Sequence, residues 1–138
     1  MRVLVVNAGS SSLKLRVLGD HDEIEADHTI ERWNADDEAT EVKQLLARSP
    51  DFDAIGHRVV HGGAEFRDAI RIDAETGRAL LALSPLAPLH QPRAVSGIDL
   101  LRRLRPDSPQ VACFDTAFHS SLSAAASTYA LPQAWRDR

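Results

Sequence analysis

Sulfur and aromatic side chains are scarce in this 138-residue chain, which holds one cysteine, Cys113, one methionine, and aromatics at only 5% of its residues. A lone cysteine cannot close an internal disulfide, so a reducing, cytoplasmic setting is the simplest expectation. There is no excess of positive charge either: 16 basic residues stand against 20 acidic ones, for a net charge of −4. That balance excludes broad attraction to nucleic acid or to an anionic membrane, so an anionic ligand would have to be held by local groups. Long apolar runs are missing as well. Met1-Arg2 is followed by four apolar residues, Val3 to Val6, before Asn7 interrupts, too few for the core of a signal peptide, and nothing approaches the ~20 residues of a membrane span. What is present, 43% hydrophobic and 26% charged residues, is the composition of one soluble domain with one core.

The apolar pattern predicts where its elements lie. Val3 to Val6 reads as a strand buried on both faces, and Ser12 to Leu18 alternates, with Leu13, Leu15 and Val17 on one side and Ser12, Lys14 and Arg16 on the other. Glu23 to Ile30 is expected as a third strand near a sheet edge. Asp36 to Arg48 has helical spacing of Val42, Leu45 and Leu46 and stops before Pro50. Phe52 to His61 returns to strand, Glu75 to Leu83 reads as a helix, and a helix with Pro92 at its first position carries a stripe of Ala94, Val95, Ile98 and Leu101. Gln110 to Phe114 is the last predicted strand. The order β-β-β-α-β-α-β implies an α/β fold with a mixed sheet and flanking helices.

Four segments bear chemistry. Asn7-Ala-Gly-Ser-Ser-Ser-Leu-Lys14 is a turn of small residues with hydroxyls and one cation. Such a turn can cradle a phosphate, with Ser10, Ser12 and Lys14 converging, or it can be a solvated serine-rich turn. It matches neither the P-loop nor the dinucleotide pattern. In Gly56-His-Arg-Val-Val-His-Gly-Gly63 the alternation places Gly56, Arg58 and Val60 on one face. That arrangement suits a small carboxylate, the guanidinium taking its oxygens and the valine its alkyl group, unless a structural carboxylate is the partner of Arg58. His90 ends the proline-stiffened Leu86-Ala-Pro-Leu-His90, where a hydrogen-bonded structural histidine is the plain alternative. Asp115 follows an apolar strand in Phe114-Asp-Thr-Ala-Phe-His119, where ligands bind in α/β sheets and where aspartate also caps helices. His57 and His61, four apart on a strand, are too far separated for one zinc. Arg102, Arg103 and Arg105 read as complements of a helix C-terminus, and Cys113 as a core thiol.

Taken in this order, the four segments resemble the acetate and propionate kinase family. The resemblance implies an actin-like ATPase, ribonuclease H-like fold and reversible phosphoryl transfer from ATP to acetate, giving acetyl phosphate and ADP. It implies Asn7 at the magnesium site, Ser10, Ser12 and Lys14 on phosphate, Arg58 on the substrate carboxylate with Val60 and Leu89 as pocket walls, and His90 and Asp115 as catalytic residues. Gln91 stands where the family usually has asparagine, a change expected to weaken a helix N-cap. Full-length members are expected to be homodimers. The family continues into a nucleotide-binding domain not found here, so residues 1–138 are expected to be the substrate- and phosphate-binding domain of an incomplete enzyme. A non-catalytic phosphate- or carboxylate-binding module and a propionate or butyrate kinase fragment are the alternatives.

Overall fold

The computed structural model describes residues 1–33 and 39–137. Strands β1 (Val3–Ala8), β2 (Ser12–Leu18) and β3 (Ile24–Glu31) form an antiparallel meander. Helix α1 (Ala39–Arg48) leads to β4 (Ala54–Val59), and the two-residue β5 (Ile70–Arg71) precedes helices α2 (Ala74–Ala82) and α3 (Gln91–Leu104). Strand β6 (Gln110–Phe114) closes a six-stranded sheet of order β3-β2-β1-β4-β6-β5. Strands β1, β4 and β6 run parallel, and β5 is antiparallel to β6. The expected mixed α/β arrangement is present, with boundaries shifted by a few residues. Positions 36–38 of the first expected helix lie outside the described residues, and β5 is an addition that its two residues left without a pattern.

Period 2 sorts the sheet into two unlike faces. Leu4 and Val6 of β1, Leu13, Leu15 and Val17 of β2, Ile55 and Val59 of β4, and Ala112 and Phe114 of β6 are buried. They pack under α1, through Val42, Leu45 and Leu46, and under α2 and α3, through Leu80, Ala94, Val95, Ile98, Leu100 and Leu101. His57 lies on this face too, 2% exposed, with Nε2 2.8 Å from Oε1 of Gln110. The opposite face presents Lys14, Arg16, Arg58 and Cys113 to solvent. Cys113 is therefore not a core thiol: its neighbours Ala112 and Phe114 point inward, so it points to the side that no helix of the described chain covers.

Helix caps follow local chemistry. Asp73 accepts the Thr76 N–H at the start of α2, and Arg102 and Arg103 occupy the last turn of α3. Arg105, just beyond, stacks its guanidinium on Phe52, 5.2 Å from the ring centre. After β6 the 3₁₀ turn Asp115–His119 and two one-turn helices, α4 (Ala124–Ser127) and α5 (Gln133–Arg136), carry no buried residue. Every residue from 120 to 137 is exposed, including Leu122, Tyr129, Leu131 and Trp135.

Candidate functional site

The parallel strands end together, and their last open-face side chains form a row across four neighbouring strands. Lys14 of β2 stands opposite Asn7 of β1, Asn7 adjoins Arg58 of β4, and Asp115 follows β6. Arg58 is gripped from one side by Asp115, with Nε 3.0 and 3.1 Å from the two carboxylate oxygens and NH2 2.7 Å from Oδ2. On the other side NH1 donates to Asn7 Oδ1 at 3.3 Å. The hydrogen bond to Asp115 raises the guanidinium pKa further, so Arg58 is a fixed cation. Both partners are roughly half exposed, and an ion pair in that setting contributes at most about 1 kcal/mol to stability. The pairing orients more than it stabilises.

A guanidinium has five N–H groups. Asp115 and Asn7 engage one on Nε, one on NH2 and one on NH1. Among the described residues one N–H on each terminal nitrogen has no partner and remains for a further oxygen ligand. Beside them lies a cavity of about 280 Å³ lined by Asn7, Ala8, Gly9, Ser10, Arg58, Val60, His90 and Ala94.

The β1–β2 turn supplies the cavity's polar roof. Gly9 N–H closes the hairpin on Ser12 O at 2.8 Å, leaving the Ser10 and Ser11 N–H groups without a backbone partner among the described residues. The wall behind comes from α3, whose N-cap residue is His90. The partial positive charge of that helix end favours an anion in the cavity. The glycine pair after β4 lets the last wall approach. A Cβ at Gly62 would collide with the Phe66 carbonyl oxygen and Gly63 has φ +65°. Gly62 N–H donates to Thr116 Oγ1 at 3.0 Å, tying this turn to the one that carries Asp115.

Of the residues singled out from sequence, Asn7, Ser10, Arg58, Val60 and His90 line one cavity, and Asp115 reaches it through Arg58. Lys14 is exposed beside Asn7, and Ser12 is half-buried on the same face. Leu89 is 75% exposed and is not among the cavity walls, where Ala8 and Ala94 stand instead. Those two alanines were missed by sequence reasoning, although Ala94 belongs to the apolar stripe of α3. Gln91 also needs correction. It is the first residue of α3 rather than its cap, and it is fully buried.

A family model described as the acetokinase family matches residues 38–138. The chain belongs to that family. Among curated relatives, the acetate kinase of Arthrobacter sp. strain FB24 is 42% identical over 96% of this chain and 39% of its own length. Among solved structures, Porphyromonas gingivalis acetate kinase superposes with a TM-score of 0.83 at 28% identity, covering 99% of this chain and 42% of that one. A propionate kinase from Francisella tularensis gives 0.78 at 31% identity, covering 96% and 41%. The actin-like ATPase fold of these acetokinases is therefore the fold of this chain, which spans about two-fifths of the length of the relatives it matches. No helix among the described residues is long and apolar enough to cross a membrane.

Proposed function

We propose that this chain supplies the carboxylate- and phosphate-binding side of an acetate kinase, with the nucleotide-binding groups contributed by polypeptide corresponding to the remainder of its longer relatives. The observation that carries this reading is Arg58, held by Asp115 and Asn7 so that two N–H groups stay free beside a small cavity with Val60 in its wall. A planar pair of N–H groups takes a carboxylate in a fixed orientation, and Val60, Ala8 and Ala94 meet a short alkyl group.

In the transfer, a carboxylate oxygen of acetate attacks the terminal phosphorus of ATP. The new P–O bond forms as the bond to the ADP oxygen breaks. An ionised carboxylate has no proton to lose, so Asp115 acts by holding Arg58 rather than as a base. In this reading the Ser10 hydroxyl, the N–H groups of the turn and Lys14 take phosphoryl oxygens as charge moves onto them. Magnesium is held in such sites by one or two carboxylates together with phosphate oxygens and water. Asp115 and Asn7 are the oxygen-bearing side chains beside Arg58, and they are the residues of this chain that would face an ion arriving with ATP, which would neutralise phosphate charge.

The test is kinetic, in an acetate kinase of the family's full length that carries this sequence. Arg58→Ala is expected to raise the acetate KM and lower kcat, together costing about 100-fold or more in kcat/KM, since two charge-assisted hydrogen bonds of about 1.5 kcal/mol each are lost. Arg58→Lys restores only part, because an ammonium lacks the planar pair. Unchanged acetate kinetics in both variants would refute the carboxylate role.

A further inference from the structure

Gln91 is a polar side chain with no exposed surface, at the first position of α3 and directly after His90. Its Nε2 donates to two backbone carbonyls, His61 O at 3.1 Å and Leu80 O at 3.1 Å. The first belongs to the residue after Val60, the second to α2. Among the described residues its Oε1 is buried without a partner. The amide orientation is settled by its surroundings, since turning it over would set its oxygen against two carbonyl oxygens.

We propose that Gln91 is a positioning residue that sets the width of the cavity by fastening His90, on one wall, to the Val60–His61 segment on the other. The two walls come from elements 30 residues apart in sequence. Elsewhere they meet through apolar packing, which resists separation but tolerates sliding. A hydrogen bond from a buried amide fixes both distance and direction. Leu80 O already accepts the Leu83 N–H at 3.2 Å, so its bond to Gln91 is an anchor to α2 that the helix does not need. Among the described residues His61 O has no other backbone donor, so its bond to Gln91 is a directional link between walls that otherwise meet through apolar packing.

Stability is a poor account of the residue. Leaving the buried Oε1 unpaired costs free energy that offsets much of what the two donated hydrogen bonds contribute. What the amide supplies and an apolar side chain cannot is the fixed separation of Val60 from His90. The asparagine that the family resemblance places here would carry the same two N–H donors on a stem one methylene shorter, and would draw the walls to a different spacing.

The experiment compares Gln91→Met, Gln91→Asn and the parent 138-residue chain by thermal melting and by NMR of the Val60 methyls and the His90 ring, with acetate and inorganic phosphate as added probes. Gln91→Met should still melt cooperatively, at a temperature lowered by the loss of the donor to His61 O, while the Val60 and His90 signals move, and acetate binding should weaken about three- to tenfold, the loss of one buried hydrogen bond. Gln91→Asn should move the same signals by a different amount, and it decides the matter alone if the methionine variant does not fold. Unmoved Val60 and His90 signals in a folded variant would overturn the proposal. The spectral comparison stands whether or not the pocket takes acetate. The binding comparison rests on that reading, which fails separately if Arg58→Ala leaves acetate affinity unchanged.

Discussion

Along β2, Leu13, Leu15 and Val17 are at most 1% exposed, while Lys14 and Arg16, one residue away in each case, stand in solvent. Along β4, His57 is sealed beneath α3 and Arg58 is half exposed. The two faces of one sheet thus do different work with the same strands. The helix-covered face makes the fold and excludes charge, so the buried imidazole of His57 is kept neutral. The other face contributes little packing, and along its edge Lys14, Asn7, Arg58 and Asp115 stand side by side.

That contrast can be broken most strongly at Leu15. Leu15→Ala should cost about 3 to 5 kcal/mol in chemical denaturation, the loss for a large aliphatic side chain in a packed core. A smaller but pH-dependent effect resides in His57. Burial pushes its imidazole from 6.5 down to about 4, although the hydrogen bond to Gln110 pulls the other way. The unfolded chain therefore takes up this proton first. The contribution is fully present above about pH 6.5 and is lost progressively as pH falls towards 4, by about 3 kcal/mol in all. In His57→Gln the stability difference between pH 7 and pH 4.5 should shrink by most of that amount, and an unchanged difference would show that the imidazole is not sealed.

Cys113 sharpens the same comparison without any mutation. On an uncovered face its thiol should react with a disulfide reagent in native buffer at the rate of a small thiol, and complete labelling should leave the melt unchanged. Protection of that thiol in the native chain would show that the open face is covered in solution. The smallest effects belong to Lys14→Ala and Arg16→Ala. Each should change stability by about 0.5 kcal/mol or less, since exposed side chains and an exposed Arg16–Asp27 pair contribute little.

Much of this was legible because period 2 and period 3.6 are written directly into the apolar residues, and β2 and β6 fall where that pattern puts them. The reading failed where a property depends on what lies across the fold. Gln110 to Phe114 reads as an apolar strand with Cys113 as a core thiol, yet no helix among the described residues covers the side to which Cys113 points, and its thiol is exposed. The partner of Arg58 lies 57 residues away on a non-adjacent part of the chain, and nothing in either segment names the other. The structural carboxylate that Arg58 requires is Asp115, itself one of the motif residues. Gln91 had a usable signal. It falls three residues before Ala94 and seven before Ile98, on the buried stripe of α3, so helical spacing places a polar residue in the core and asks for its partners.

The chain's two tryptophans sit at opposite extremes, Trp33 at 2% exposure in the core and Trp135 at 64% in the surface segment that follows β6. One-turn helices such as α4 and α5 are too short to hold themselves together, so backbone amides from 120 to 137 should exchange with deuterium orders of magnitude faster than those of β1 or β4. Chymotrypsin, cutting after the exposed Phe118 or Tyr129, would then remove Trp135 while the sheet stays folded. The native fluorescence would lose its red-shifted component and keep the blue-shifted emission of Trp33, so two wavelengths would follow trimming and unfolding as separate events in one cuvette.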